Sequence, residues 1–185
     1  SYARTGLAKS ARGGFNITPT VSIAAHSVKH AVAKAGIEGA DVEDVFMGNV
    51  AHGGGNIARQ AALLGGLPIT TSGVTVNRFC SSGLQTIGMA ANFVRNDGAD
   101  VVVAGGVESI SMPNMGTGKD NFDPELTKIA PALFMAMIDT ADIVAERYKV
   151  SREAQDEYSL ESQRRMAAAQ QGGKFADEIV PMKTK

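Results

Sequence analysis

The chain has 185 residues, 44% of them apolar, which is enough to bury the core of one ordinary domain or a little more. Its 18 basic and 19 acidic residues balance, and the basic ones do not cluster with aromatics, so the charge pattern argues against nucleic acid as a partner. A single cysteine excludes an internal disulfide, and no apolar run approaches the roughly 18 residues of a membrane span.

Residues 1 to 16 are basic and glycine-rich and read as a loop. Thr18-Pro19 predicts a helix start, with threonine as cap and proline in the first turn. Ile23, Ala24, Val28, Ala31, Val32 and Ala35 supply the apolar face, and Gly36 the stop. His26 and His30 sit four apart on this helix; without a third ligand nearby they read as part of a solvated face rather than a metal site. After the acidic cluster Glu38, Asp41, Glu43 and Asp44, residues 42 to 50 predict a strand. The glycine-rich run His52 to Asn56 opens a helix from Ile57 to Leu64, but no lysine and serine or threonine follow as a phosphate-cradling loop of the Walker type requires.

Residues 74 to 91 carry the most information. Val74, Val76 and Phe79 are strand formers, whereas Leu84, Ile87, Ala91 and Val94 recur at helical spacing up to a stop at Gly98. Cys80 is thereby placed where strand becomes helix, in the expected first turn. Outward-pointing amides and the positive end of the helix dipole favour a thiolate there and can hold an oxyanion. Ser81, Ser82 and Gly83 keep the entrance open, and Gly88, Ala90 and Ala91 allow the helix to approach neighbouring backbone. A lone cysteine is also commonly a small buried apolar residue, and spacing alone leaves both readings standing. Residues 99 to 104 form an apolar strand typical of a sheet covered on both faces, so that strand, helix and strand predict a layered α/β fold with a mostly parallel sheet. Glu108 follows that strand at its carboxyl end, either as an acid or base or as a carboxylate bonded to loop amides.

From Pro113 the chain turns irregular and polar, with further prolines at 124 and 131 and methionines at 112 and 115. Residues 132 to 137 are soft and apolar. Asp139 or Thr140 predicts the cap of a helix through Tyr148, and Ser151 that of a longer one to about Gln171, before Gly172-Gly173.

Three long motifs, VNRFCSSGLQTI at 76 to 87, VVVAGGVESISMP at 101 to 113 and GNVAHGGGNIARQAALLGGLP at 48 to 68, together resemble the thiolase family of acyl-CoA acyltransferases. The similarity begins at ARTGLAK (3 to 9) and reaches KFADEIVPM (174 to 182). Thiolases consist of two similar α/β halves in tandem. The resemblance therefore implies that residues 1 to 112 are the N-terminal core without its opening strand, and that 113 to 185 begin the loop region covering the acyl-CoA site. The C-terminal half, with the activating histidine, the second cysteine and a water-holding asparagine, is then not part of this sequence.

The resemblance implies thiolysis of a 3-oxoacyl-CoA, or the reverse Claisen condensation, with Cys80 as the acyl-accepting nucleophile and fatty acid β-oxidation as the setting. Coenzyme A is then a co-substrate, no cofactor is permanently bound, and no metal is required. Met137 matches a position that touches the bound thioester in the pattern Met-x-x-Thr-Ala, although Ala136 stands where some thiolases have histidine and Ile138 where glycine is usual. By the same resemblance His52, Asn56 and Arg59 are structural, and Arg164 and Arg165 belong to a supporting helical pair rather than to the coenzyme A phosphates. A homodimer or homotetramer is expected, with no nucleic acid or membrane partner, in the cytoplasm or, in a eukaryote, an organelle. Two other readings use the same residues: a ketoacyl-synthase-like condensing enzyme working with an acyl carrier, and a non-catalytic half acting as a binding or assembly module.

Overall fold

The computed structural model describes residues 1–51, 55–112 and 123–184. The chain divides into two compact units, one of residues 1–117 and 178–185 and one of residues 118–177.

In the first unit, helix α1 (Thr20–Ala35) precedes strand β1 (Asp44–Gly48), helix α2 (Ile57–Leu64), strand β2 (Ser72–Val76), helix α3 (Ser82–Asn96) and strand β3 (Val102–Gly106). The three strands form a parallel sheet in the order β2-β1-β3, with Asp44 level with both Ser72 and Val102. Period-two alternation along β1 divides its side chains between two layers. Val45 and Met47 join Ala24, Ala25, Val28, Ile57, Ala58, Ala61 and Ala62 in a buried cluster with α1 and α2. On the opposite face Phe46 meets Phe93 of α3 edge to face, with ring centroids 5.8 Å apart. This is the layered α/β arrangement with a parallel sheet that the sequence predicts. Alanines at the α1–α2 contact let the helices approach closely, and the larger core residues each contribute about 1.5–3 kcal/mol through burial.

Several boundaries differ from expectation. Thr18 is not a cap: it is buried, and α1 starts after Pro19, whose carbonyl accepts from Ser22 and Ile23. Proline's fixed φ with an extended ψ of 135° makes it the last non-helical residue. Gly36 ends the helix as expected, in the left-handed conformation at φ 70°. β1 is shorter than residues 42 to 50, and β3 lies two to three residues later than 99 to 104, because the ladder runs only where the two strands are in register.

The tail returns to the first unit. Arg4 donates its amide to the Glu178 carbonyl at 2.8 Å, Val180 donates to the Arg4 carbonyl at 2.8 Å, and the Arg4 guanidinium meets the Glu178 carboxylate at 3.2 Å. Residues 178 to 184 are thus held by the core rather than grouped with the stretch from 113 onward, because the backbone pairing of Ile179 with Arg4 joins distant parts of the chain.

The second unit contains α4 (Pro124–Ile129), α5 (Met137–Tyr148) and α6 (Arg152–Gln171). Helix α4 lies in a stretch whose sequence reads as irregular. Its signal is the pair Asp123-Pro124: the Asp123 carboxylate accepts from the amides of Glu125 and Leu126, and proline occupies the first turn. α5 starts earlier than a cap at Asp139 or Thr140 predicts, after Ala136, and the Thr140 hydroxyl instead donates to the Ala136 carbonyl at 3.2 Å. Ser151 caps α6 as expected, accepting from Ala154 at 3.2 Å.

Candidate active site

The site is built at the carboxyl ends of the parallel strands, where β2 gives way to α3. After Val76 the chain makes a tight elbow. The Asn77 side chain accepts from the Phe79 amide at 3.1 Å, and Phe79 is held in the left-handed conformation at φ 48°. Ser82 ties the turn from both sides: its hydroxyl accepts from the Arg78 amide at 2.8 Å and donates to the Phe79 carbonyl at 2.6 Å. The Arg78 guanidinium reaches the side chain of Gln85 on α3. Phe79, read from composition as a strand former, is therefore a turn residue, because its backbone reverses the chain after β2 has ended.

Cys80 is exposed at the crest of this elbow. The reading of a lone cysteine as a packed apolar residue does not hold. Nor does Cys80 lie inside the first helical turn: α3 begins at Ser82, with Ser81 at the capping position, so the thiol stands two residues ahead of the helix. Two of the amides expected to face outward are already engaged, Ser81 donating to the Arg78 carbonyl at 3.2 Å and Ser82 to the Phe79 carbonyl at 3.0 Å.

Glycines in the sheet seat α3 beneath the thiol. A Cβ on Gly48 would lie 2.7 Å from the Gly83 amide nitrogen and 2.9 Å from the Ser82 Cβ, and one on Gly106 would lie 3.4 Å from the Gly83 Cα. The close approach expected from Gly88 comes instead from these positions, since a Cβ on Gly88 would meet nothing within 4 Å. The packing face of α3 follows. Ser82, Thr86 and Ala90 are buried, whereas Leu84, Ile87 and Val94, whose spacing marks the helix, are 74%, 54% and 44% exposed. Small residues turn inward because glycine backbone leaves no depth for leucine, and the Thr86 hydroxyl reaches both the Gly83 and Gly105 carbonyls at 2.8 Å.

Asn56 and Arg59 brace the neighbouring loop, as expected. The Asn56 carbonyl oxygen caps α2 at the Arg59 amide and accepts from the Thr75 hydroxyl at 2.9 Å, while the Arg59 guanidinium binds the carbonyls of Ile69, at 2.8 Å, and Thr71. Glu108 follows β3, and its carboxylate takes up loop amides. His52 lies outside the described residues. Met137 is the first residue of α5, in the second unit, and is exposed. Arg165 pairs with Glu161 along α6 at 2.8 Å.

The rings of His26 and His30 lie 4.4 Å apart at a tilt of 58°, and the His26 Nε2 is buried without a hydrogen-bond partner, so the pair is half-buried rather than on the solvated face expected. Burial, then the neighbouring His26 and Lys29, holds the His30 pKa below the ordinary histidine value. Among the described residues no group of three or more His, Cys, Asp or Glu is placed to hold a metal ion. A groove of about 580 Å³ runs between residues 1 to 5, α1 and β3, and Cys80 is not among the residues that line it.

A parallel α/β sheet with an exposed cysteine at a strand-to-helix elbow defines a class of protein able to present a thiol at the edge of its core. The chain belongs to the thiolase family: the model of the thiolase N-terminal domain matches residues 1–185. An acetyl-CoA acetyltransferase of Chromobacterium violaceum is 40% identical over 186 residues, covering 92% of this chain and 47% of that protein. A 3-ketoacyl-CoA thiolase of Bacillus subtilis is 40% identical over 187 residues, covering 98% and 47%. The crystal structure of the Bacillus anthracis acetyl-CoA acetyltransferase matches the whole chain with a TM-score of 0.87 at 30% identity, over 50% of its own length. The chain therefore spans about half the length of these relatives.

Proposed function

We propose that this chain is the nucleophile-bearing half of a thiolase-type acyltransferase that exchanges acyl groups between coenzyme A thioesters through Cys80. The observation that carries this reading is the exposed thiol on an elbow fixed by Asn77 and Ser82. The names of the relatives, acetyl-CoA acetyltransferase and 3-ketoacyl-CoA thiolase, support the substrate class.

In the thiolytic direction the Cys80 thiolate attacks the 3-keto carbon of a 3-oxoacyl-CoA. The bond between C2 and C3 breaks, and its electron pair leaves with the acetyl-CoA fragment, which takes up a proton. The shortened acyl group stays on Sγ until the thiolate of a second coenzyme A attacks its carbonyl, releasing acyl-CoA and regenerating the Cys80 thiolate. Covalent catalysis divides one difficult carbon–carbon cleavage into two acyl transfers. Donors held at the oxyanion are typically worth about 3–4 kcal/mol each, and the Cys80 amide is the donor assigned to this half. The groups that move protons are assigned to the other half of the protein.

In this reading residues 1 to 112 are the N-terminal core, and the stretch from 113 begins the loop region, with Met137 contributing to the thioester site. Coenzyme A is a co-substrate, the protein works as a homo-oligomer in the cytoplasm or an organelle, and β-oxidation is its metabolic setting. The test is coenzyme A-dependent cleavage of a 3-oxoacyl-CoA by the whole gene product and by its Cys80→Ser variant. The variant is expected to lose at least about a thousandfold in kcat. Acyl transfer that requires an acyl carrier protein in place of coenzyme A would favour the condensing-enzyme reading. No turnover with either donor would favour a binding module.

A further inference from the structure

The carboxylate of Glu108 gathers four donors from two strand ends. Its Oε2 accepts from the amides of Val50 at 2.9 Å and Ala51 at 3.3 Å, and its Oε1 from the Ser109 amide at 3.2 Å and the Asn49 Nδ2 at 3.3 Å. Asn49 extends the network. It is buried, its Nδ2 also donates to the Val107 carbonyl at 2.7 Å, and its amide donates to the Val76 carbonyl at 3.0 Å. The Val107 amide closes the ring at the Gly48 carbonyl, also at 3.0 Å.

Two routes lead from this ring to the thiol. Val76 is the last residue of β2, and the elbow carrying Cys80 leaves from it. Gly48 is the floor on which Ser82 and Gly83 rest, too close to admit even a methyl group. A shift of the β1 end therefore moves the elbow from its strand side and its helix side together. We propose that Glu108 is a positioning residue for Cys80: its charge holds the ends of β1 and β3 in the one arrangement that seats the elbow. This rests on the reading of Cys80 as the acyl-accepting thiol.

The chemistry of the donors selects a carboxylate. All four partners are N–H groups, so the acceptor must offer two oxygens, and an anion strengthens each bond. A glutamine would present its amide nitrogen to one of the two donor pairs, N–H against N–H. An aspartate keeps the charge but is one methylene shorter.

The test uses the whole gene product with Glu108→Gln and Glu108→Asp, read by steady-state kinetics, by the pH dependence of Cys80 alkylation with iodoacetamide, and by thermal unfolding. A displaced nucleophile is expected to cost Glu108→Gln about ten- to a hundredfold in kcat. KM for coenzyme A should stay within about twofold. The pH–rate profile of alkylation should change in the same variant, and Glu108→Asp should recover part of both losses. A lowered melting temperature with kcat and the alkylation profile unchanged would overturn the proposal by reducing Glu108 to a stabilising residue. If Glu108→Gln does not fold, Glu108→Asp carries the same test, with a partial loss in kcat and a changed alkylation profile expected. Alkylation reports on the geometry of Cys80 without turnover, so it distinguishes failure of this inference from failure of the acyltransferase reading, which Cys80→Ser tests by itself.

Discussion

At the scale of single residues, the seat of the elbow is decided by absent side chains. Gly48→Ala places a Cβ 2.7 Å from the backbone of Ser82 and Gly83, both of which are fixed. Such overpacking is expected to cost about 1–3 kcal/mol, measured by urea unfolding. Gly106→Ala, whose added Cβ would reach the Gly48 carbonyl oxygen and the Gly83 Cα only at 3.4 Å, is expected to cost less. Equal costs for the two would contradict the tight seating of α3 on β1. His30 gives a pH-dependent prediction. Its pKa is lowered in the folded chain by burial and by nearby His26 and Lys29, so the unfolded state binds the proton more readily. This contribution to stability is present above the ordinary histidine pKa and is lost as pH falls through it toward the lowered folded value. His30→Gln should flatten stability in that window, and an unchanged pH profile would show that His30 does not contribute. The place of Cys80 between a strand and a helix was legible in the sequence from strand formers on one side and helical spacing on the other, although the helix begins two residues after it. The left-handed backbone of Phe79 was not, because an aromatic side chain favours strands and nothing in its identity signals positive φ.

At the scale of elements, α3 illustrates what periodicity can and cannot decide. The spacing of Leu84, Ile87 and Val94 identifies a helix correctly but does not say which face turns inward: Ser82, Thr86 and Ala90 are buried over the glycine backbone of β1 and β3, and Phe93 meets Phe46 further along. The inner face could be recognised only by knowing that β1 and β3 bring Gly48 and Gly106 beneath it. Of the expected helix starts, the cap at Ser151 was read correctly, whereas those at Thr18 and at Asp139 or Thr140 were not, and the Asp123 cap was missed. Ser151→Ala should cost about 1 kcal/mol in α6, measured by thermal unfolding. The same helix start has an acid response: a backbone hydrogen bond and then the Ser151 hydroxyl lower the pKa of Glu153. A depressed carboxylate stabilises above its unfolded pKa and loses that contribution as pH falls through the folded value. Helical signal from α6 should therefore loosen at acid pH, and Glu153→Gln should remove this component. A full acid response retained by the variant would assign it to other groups.

At the scale of the whole molecule, the fold class was legible because the apolar run at 99 to 104 reads as a parallel strand and β1, β2 and β3 each follow or precede a helix of clear period, although only β1 is buried and β2 and β3 are half-buried. The return of residues 178 to 184 to Arg4 was not legible, since its two backbone bonds join segments more than 170 residues apart and leave no local pattern. Family membership and the parallel core give this chain the thiolase N-terminal domain, and the exposed elbow gives the acyltransferase reading its chemical centre. The most direct measurement is peptide mapping by mass spectrometry of the whole gene product, quenched during turnover of a 3-oxoacyl-CoA. An acyl group on the peptide containing Cys80, removed by added coenzyme A, is the predicted result. A protein that turns over the substrate while the label lies on another residue, or on none, would contradict it.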